Sequence, residues 1–258
     1  MTQSIRLQRP YSGIGDWLMA LNCLKFVNRQ RPDVQAFVDF KSARALPAFV
    51  TEAFAASDVI YTLGQGGRET RGTTDNLVYR AYPPANYIES MLLHLNKQTD
   101  LDIDYERHVF PDFGIIRRAG DYIVMLGQGK RRDRHRKEWG TVNLCKLATR
   151  LQVVGYEVRQ VGGRWDRPIP GTTKFVQGMQ FVDAAHELAG ARAFIGLENG
   201  IMMLAGFLGV PQATIYDGHS KADRTDFDNH LKIAERIEPD AAAGKILTWL
   251  QTEQSKNN

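Results

Sequence analysis

The 258 residues are 43% hydrophobic and 24% charged with a formal net charge of +4, which supports one large or two ordinary domains and excludes a disordered chain. No apolar run approaches the roughly 18 residues of a membrane span. The opening MTQSIRLQRPYSG lacks the apolar centre of a secretory leader, so the sequence reads as a cytoplasmic protein. The mild basic balance permits an anionic partner without choosing one.

In chain order, SIRLQRPY reads as a strand, SGIGDW as a glycine turn, WLMALNCLKFVNRQ as an apolar helix and DVQAFVDF as a strand. ARALPAFVTEAFAA and NYIESMLLHLNKQ carry helical patterns, with the polar, glycine-rich loop GQGGRETRGTTDN between them. LDIDYERHVFPDFGIIRRAG has little periodicity and leads to a domain junction. YIVMLGQG then reads as a buried strand, TVNLCKLATRLQVVG as a helix ending at Gly155, and YEVRQVGG as a strand. FVDAAHELAGA is a helix, AFIGLENG and PQATIY are strands, and DAAAGKILTWLQTEQ is a final helix. Strands alternating with helices in both halves predict an α/β protein of two Rossmann-like parallel domains facing a cleft, residues 1–118 and 119–258. The last helix is a candidate to pack back on the first domain. Cys23 and Cys145 lie far apart in apolar stretches, without metal-ligand spacing, and read as buried thiols.

Ligands of such sheets bind beyond the carboxyl ends of the strands, and four loops qualify. YSGIGDW offers Ser12, Gly13, Gly15 and Asp16 between a strand and a helix. Asp16 falls in the first helical turn, where the helix end stabilises its charge, as a cap or as a reactive carboxylate. GQGKRRDRHRKEWG places Gln128 and six lysines and arginines, from Lys130 to Lys137, directly after a strand. Such a run is either a solvated face or a clamp for phosphates. VGGRWDRP presents Asp166 to ribose hydroxyls. LENGIMMLAGFLGVP sets Glu198, Asn199 and Gly200 before an apolar helix, to cap it or to hold a ligand at its unpaired N–H groups. His219, after a buried strand, is either a plain loop residue or a contact to donor phosphate or acceptor. His94, His108, His186 and His230 read as surface or satisfied core residues.

Three stretches together resemble the ADP-heptose:lipopolysaccharide heptosyltransferases. GIGDWLMALNCLKFVNRQRPDVQ is similar to their N-terminal signature. KEWGTVNLCKLATRLQVVGYEVRQVGG is similar to their Lys-x-Trp-Pro helix–strand unit, and AHELAGARAFIGLENGIMMLAGFLGVPQATIYDG to their C-terminal signature. The resemblance implies a GT-B glycosyltransferase with donor nucleotide in the C-terminal domain and acceptor facing the N-terminal one. It implies Asp16 as catalytic base, Lys137 on the donor diphosphate and Asp166 near the ribose. It implies that Glu198, Asn199 and Gly200 hold the donor sugar and phosphates, and Gly13, Gly15, Gln128, Lys130, Met203 and His219 are assigned beside them as further donor contacts. The chain departs from the pattern where the family's Asp, Ser/Thr, His and Pro stand as Glu198, Asn199, Met203 and Gly140. These departures imply altered sugar recognition. The chain is also shorter than is usual there, and the intact C-terminal blocks assign the shortening to the acceptor half.

The expected reaction is inverting transfer of a sugar from a nucleotide diphosphate, UDP or ADP, to a hydroxyl of a glycan or lipid-linked saccharide. Asp16 takes the proton, and the cations of residues 130–137 stabilise the leaving group without metal or cofactor. Ser12, Arg131, Arg132 and Arg134 are assigned to the acceptor. Two alternatives stand beside this: a transferase acting on hydroxymethylated pyrimidines in DNA, and a non-catalytic nucleotide or nucleic-acid binder. The sequence leaves the oligomeric state open.

Overall fold

A computed structural model describes residues 3–9, 14–40, 60–63, 75–76, 86–105, 115–126, 139–163, 166–176, 179–216, 225, 227–233 and 237–256. The chain divides into two compact units, Met1–Gly114 with Asp223–Asp226, and Ile115–Ala222 with Phe227–Asn258. Among the described residues, no helix is long and apolar enough to cross a membrane.

Unit 1 is built on a parallel sheet of β1 (Gln3–Arg9), β2 (Val34–Phe40), β3 (Ile60–Leu63) and β4 (Asp75–Asn76), in the order β3-β2-β1-β4. The ladder between β1 and β2 runs unbroken from Gln3↔Val34 to Arg9↔Phe40. Helix α1 (Ile14–Gln30) joins these two strands. Its residues from Leu18 to Leu24 are all buried, which suits a segment apolar on nearly every side. Helix α2 (Tyr87–Gln98) packs on it: the Cys23 thiol lies 3.7 Å from the Ile88 carbonyl and 3.6 Å from Met91 Sδ. Asn86 starts α2 by accepting from Ile88 and Glu89 N–H, while Glu89 reaches back to the Asn86 N–H, a reciprocal capping box. Two side-chain amides then tie down the following segment. Asn96 bonds both backbone groups of Ile103, and Gln30 both of Asp104, each at 2.8 Å.

Unit 2 is a six-stranded parallel sheet of β5 (Tyr122–Leu126), β6 (Glu157–Val161), β7 (Lys174–Val176), β8 (Ala193–Leu197), β9 (Gln212–Ile215) and β10 (His230–Ile233). Its order, β10-β9-β8-β5-β6-β7, is that of a complete doubly wound dinucleotide-type sheet. Alternate strand residues Ile123, Met125, Ile195, Leu197, Ala213 and Ile215 pack on one face with two helices. These are α3 (Thr141–Val153), through Leu144, Leu147 and Leu151, and α6 (Pro239–Lys256), through Ala243, Ile246 and Leu250. The Trp139 indole N–H, 3.0 Å from the Ile237 carbonyl, joins the segments that lead into these helices. Helix α5 (Gly200–Phe207) packs on β8 and β9, with α4 (Phe181–Ala189) beside it. α3 stops before Gly155, whose φ of 96° suits only glycine.

The predicted strands and helices within the described residues form where the sequence places them. The helix expected over 43–56 lies outside the described residues. Four strands go beyond the sequence reading. β3, β7 and β10 are three- or four-residue runs at sheet edges, and β4 is the end of the segment read as a glycine-rich loop. Cys23 is buried as expected, but Cys145 is only half-buried on α3.

Candidate functional site

Both sheets contain one reversal. In unit 2 the chain winds outward from β5 through β6 to β7, then returns to the other side of β5 and continues through β8, β9 and β10. The β5 and β8 carboxyl ends, paired at Leu126↔Gly196, therefore stand at the switch point of the sheet, where a doubly wound fold has its ligand crevice. β8 is buried along its whole length, and its end delivers Glu198-Asn199-Gly200 to that crevice. Gly196 permits the approach of the two strands: a Cβ there would fall 2.6 Å from the Leu126 carbonyl oxygen and 2.7 Å from Phe194 Cζ.

Asn199 is the N-cap of α5. Its Oδ1 accepts from Ile201 N–H at 2.8 Å and Met202 N–H at 3.0 Å, and its carbonyl accepts the first helical bond from Met203 at 3.2 Å. The buried Nδ2 has no partner. With the oxygen committed to the helix, what Asn199 has left to offer is a donor. Met203 is buried at 6% exposure, facing the packing of α5. Glu198 and Gly200 are half-buried at the crevice.

The end of β6 lies next to that of β5. There Asp166 Oδ2 accepts from the Gly163 N–H at 2.6 Å and the Asp166 N–H returns a bond to the Gly163 carbonyl at 3.0 Å. A Cβ on Gly162 would lie 2.9 Å from this carboxylate, so the glycine admits the turn. The ends of β6 and β8 stand two strand spacings apart, about 10 Å. The acidic turn and the Glu198-Asn199-Gly200 tip thus flank the end of β5. The segment that follows β5 in the chain carries Gln128, Lys130, Arg131, Arg132, Arg134 and Lys137, and these lie outside the described residues. His219 lies outside them too.

In unit 1 the reversal falls between β1 and β4. The turn after β1 starts α1 at Ile14, so Gly15 is the second and Asp16 the third helical residue. Ser12, Gly13 and the Asp16 side chain lie outside the description. An acid at the third position profits from the partial positive charge of the helix end.

Asp-x-Asp triplets, a pattern suited to metal-bound donors, occur at Asp100-Leu101-Asp102-Ile103-Asp104 and at Asp226-Phe227-Asp228. In the first, the three aspartates are exposed and alternate with buried Leu101 and Ile103. The metal-independent reading therefore rests on the cations of residues 130–137 and takes nothing from this motif. Sequence reasoning also misses buried Gln212 and its neighbour His230. His230, read as a surface or satisfied core residue, is half-buried, with Nε2 2.9 Å from Thr214 Oγ1 and a buried, unpartnered Nδ1.

No protein-family profile matches the chain, and no curated protein matches it in sequence. Solved structures do match. E. coli heptosyltransferase WaaC with ADP aligns over 95% of this chain and 99% of its own, at 15% identity and a TM-score of 0.62. E. coli ADP-heptose lps heptosyltransferase II aligns over 97% and 99%, at 14% identity and a TM-score of 0.67. A glycosyl transferase family 9 protein from Veillonella parvula DSM 2008 aligns over 96% and 98%, at 12% identity and a TM-score of 0.66. The chain has the GT-B fold of these heptosyltransferase-like glycosyltransferases.

Proposed function

We propose that the protein is an inverting glycosyltransferase that moves a sugar from a nucleotide-diphosphate donor to a hydroxyl of a glycan or lipid-linked saccharide. The observation that carries this reading is the delivery of Glu198-Asn199-Gly200 by β8 to the crevice where the unit 2 sheet reverses. WaaC, similar in fold, is a heptosyltransferase with ADP bound, which supports a nucleotide at the corresponding end of this sheet. A crevice at the reversal of a doubly wound sheet is where dinucleotides and nucleotides bind. The α5 N-terminus favours negative charge, and the uncommitted Asn199 Nδ2 offers a donor to a phosphate or sugar oxygen.

In the proposed reaction the acceptor oxygen forms a bond to the anomeric carbon as the bond to the diphosphate breaks. Asp16 takes the acceptor's proton, which makes a weak nucleophile competent. Charge gathers on the departing diphosphate, where Lys130, Lys137 and the neighbouring arginines stabilise it in place of a metal. One displacement inverts the anomeric configuration. Asp166, already held by the Gly163 N–H, orients the ribose. Replacing the family's aspartate with the longer Glu198, and its histidine with buried Met203, supports a donor sugar other than heptose.

The test is Asp16→Ala. Transfer falls by about a hundredfold to ten-thousandfold while nucleotide affinity, measured by calorimetry, stays within about twofold. Turnover at the wild-type rate would remove Asp16 from the mechanism.

A further inference from the structure

Unit 2 encloses polar atoms that its own folding leaves without partners. Gln212 opens β9 with 0% exposure, and neither Oε1 nor Nε2 of its side chain is hydrogen-bonded. Because both atoms are orphaned, exchanging the amide oxygen and nitrogen changes nothing. His230 opens β10 and is the register partner of Gln212 across the parallel ladder, so both side chains leave the same face of the sheet. Thr214, two residues beyond Gln212 and also at 0% exposure, shares that face, and its Oγ1 is 2.9 Å from His230 Nε2. His230 Nδ1 is buried and unpartnered. The rings of Phe227 and Tyr216 stand 6.3 and 6.5 Å from the imidazole, and Phe227 meets Phe207 of α5 edge-on at 5.4 Å. Apolar walls of this kind offer no substitute partners.

The chemistry of the three orphans selects their occupant. The Gln212 carbonyl needs a donor, and its NH₂ needs an acceptor. His230 Nδ1 needs a donor when Nε2–H points to Thr214, and an acceptor in the other tautomer. A halide supplies acceptors only. A metal cation satisfies Oε1 and Nδ1 but repels the NH₂ and brings a charge that no described carboxylate on this face balances. Water supplies two donors and two acceptors, and buried waters typically make about three bonds to groups of this sort.

We propose that the start of the β9–β10 ladder holds an internal hydration site, in which ordered water bridges the Gln212 amide and His230 Nδ1. β10 is the edge strand of its sheet, joined to β9 by a four-residue ladder. The bridge adds side-chain bonding to that short ladder and satisfies Nδ1 in either imidazole tautomer. It belongs to the amino ends of the strands, opposite the crevice, and stands independently of the glycosyltransferase reading.

The experiment is water-selective NMR on the full-length ¹⁵N-labelled protein. The Gln212 side-chain NH₂ signals are identified by their loss in Gln212→Met. The wild type shows a cross-peak from these protons to a long-lived water, and a high-resolution crystal structure shows density within hydrogen-bond reach of the amide and Nδ1. Gln212→Met, close in volume and without polar groups, lowers the thermal midpoint by about 3 °C because the bridge is lost. An absent cross-peak, or a midpoint raised in Gln212→Met as expected on removing a dry buried amide, overturns the proposal. If the variant fails to fold, the wild-type cross-peak and density decide alone.

Discussion

The two units use one device with different chemistry. Each winds a parallel sheet out from a first strand, reverses, and carries a glycine-bearing polar stretch of sequence between a strand bordering that reversal and the helix that follows. Unit 1 follows with the 17-residue α1 and an acid at its third position. Unit 2 follows with the eight-residue α5 and a neutral amide at its N-cap. A cap must give its oxygen to the helix, as Asn199 does with two N–H groups. A general base must keep acceptor capacity for the substrate's proton, and its charge is stabilised within the first turn without serving as the cap. On the proposed function that difference separates holding a ligand from acting on it. In the proposed reaction unit 2 binds and unit 1 does the proton chemistry, and Asp16→Ala breaks that division most sharply.

Gly196→Ala tests the binding half. The new methyl would press on the Leu126 carbonyl, which is backbone in the adjacent strand, and on the Phe194 ring. Backbone cannot turn aside as a flexible side chain does, so the strands must part. We expect a loss of about 3 kcal/mol or more in urea unfolding, with nucleotide affinity falling alongside, because the crevice is formed by these two strand ends.

Acid should weaken the edge of unit 2. Burial, reinforced by Lys232, pushes the His230 pKa down from 6.5 to about 3. Above pH 6.5 the group is neutral in both folded and unfolded chains, and stability is complete. As pH falls below 6.5 the unfolded chain binds a proton that the folded one refuses, so stability drops by at most about 1.4 kcal/mol per pH unit until the folded group titrates near pH 3. Between pH 6.5 and 4.5 the loss reaches about 2 kcal/mol. Hydrogen exchange corrected for intrinsic rates would show β9 and β10 amides losing protection over this window, and His230→Gln would remove this component of the slope.

These features were unequally legible in the sequence. α1, α2, α3 and α6 carry long apolar patterns, and β5 and β8 are continuous apolar runs, so elements and order follow from periodicity and turn residues. β7 and β10 have three and four residues with lysine among them, and their strand character comes from pairing with β6 and β9. That pairing is a tertiary fact. In the candidate site, the polar tips at Asp166 and Asn199 were readable because turns and caps demand particular residue types. The division of labour within Asn199, oxygen to the helix and nitrogen left over, needed coordinates. So did the burial of Gln212 and of His230 Nδ1, because an alternating strand pattern does not reveal which polar atoms its inner face encloses.

A smaller effect separates capping from binding at Asn199. Asn199→Ala removes the acceptor for two N–H groups and should cost about 1 kcal/mol in unfolding. Asn199→Ser restores a capping oxygen but no NH₂. If Asn199 only caps, serine recovers both stability and nucleotide affinity. If Nδ2 also serves the ligand, serine recovers stability while affinity stays reduced, and calorimetry with nucleoside diphosphate tells the two apart.

The smallest effect should carry the opposite sign and sharpens what is special about glycine at the reversal. Gly244 lies within α6, exposed, where an added Cβ meets nothing within 4 Å. Glycine in a helix interior gives up more backbone entropy on folding than alanine does, by about 0.5 to 1 kcal/mol. Gly244→Ala should therefore stabilise the protein by about that amount and raise the thermal midpoint by about 2 °C. Nucleotide affinity should be unchanged, since α6 packs on α3 at the far side from α5. Set beside Gly196→Ala, the same chemical change then has opposite signs in one unit. A destabilised Gly244→Ala would mean that α6 meets another surface there.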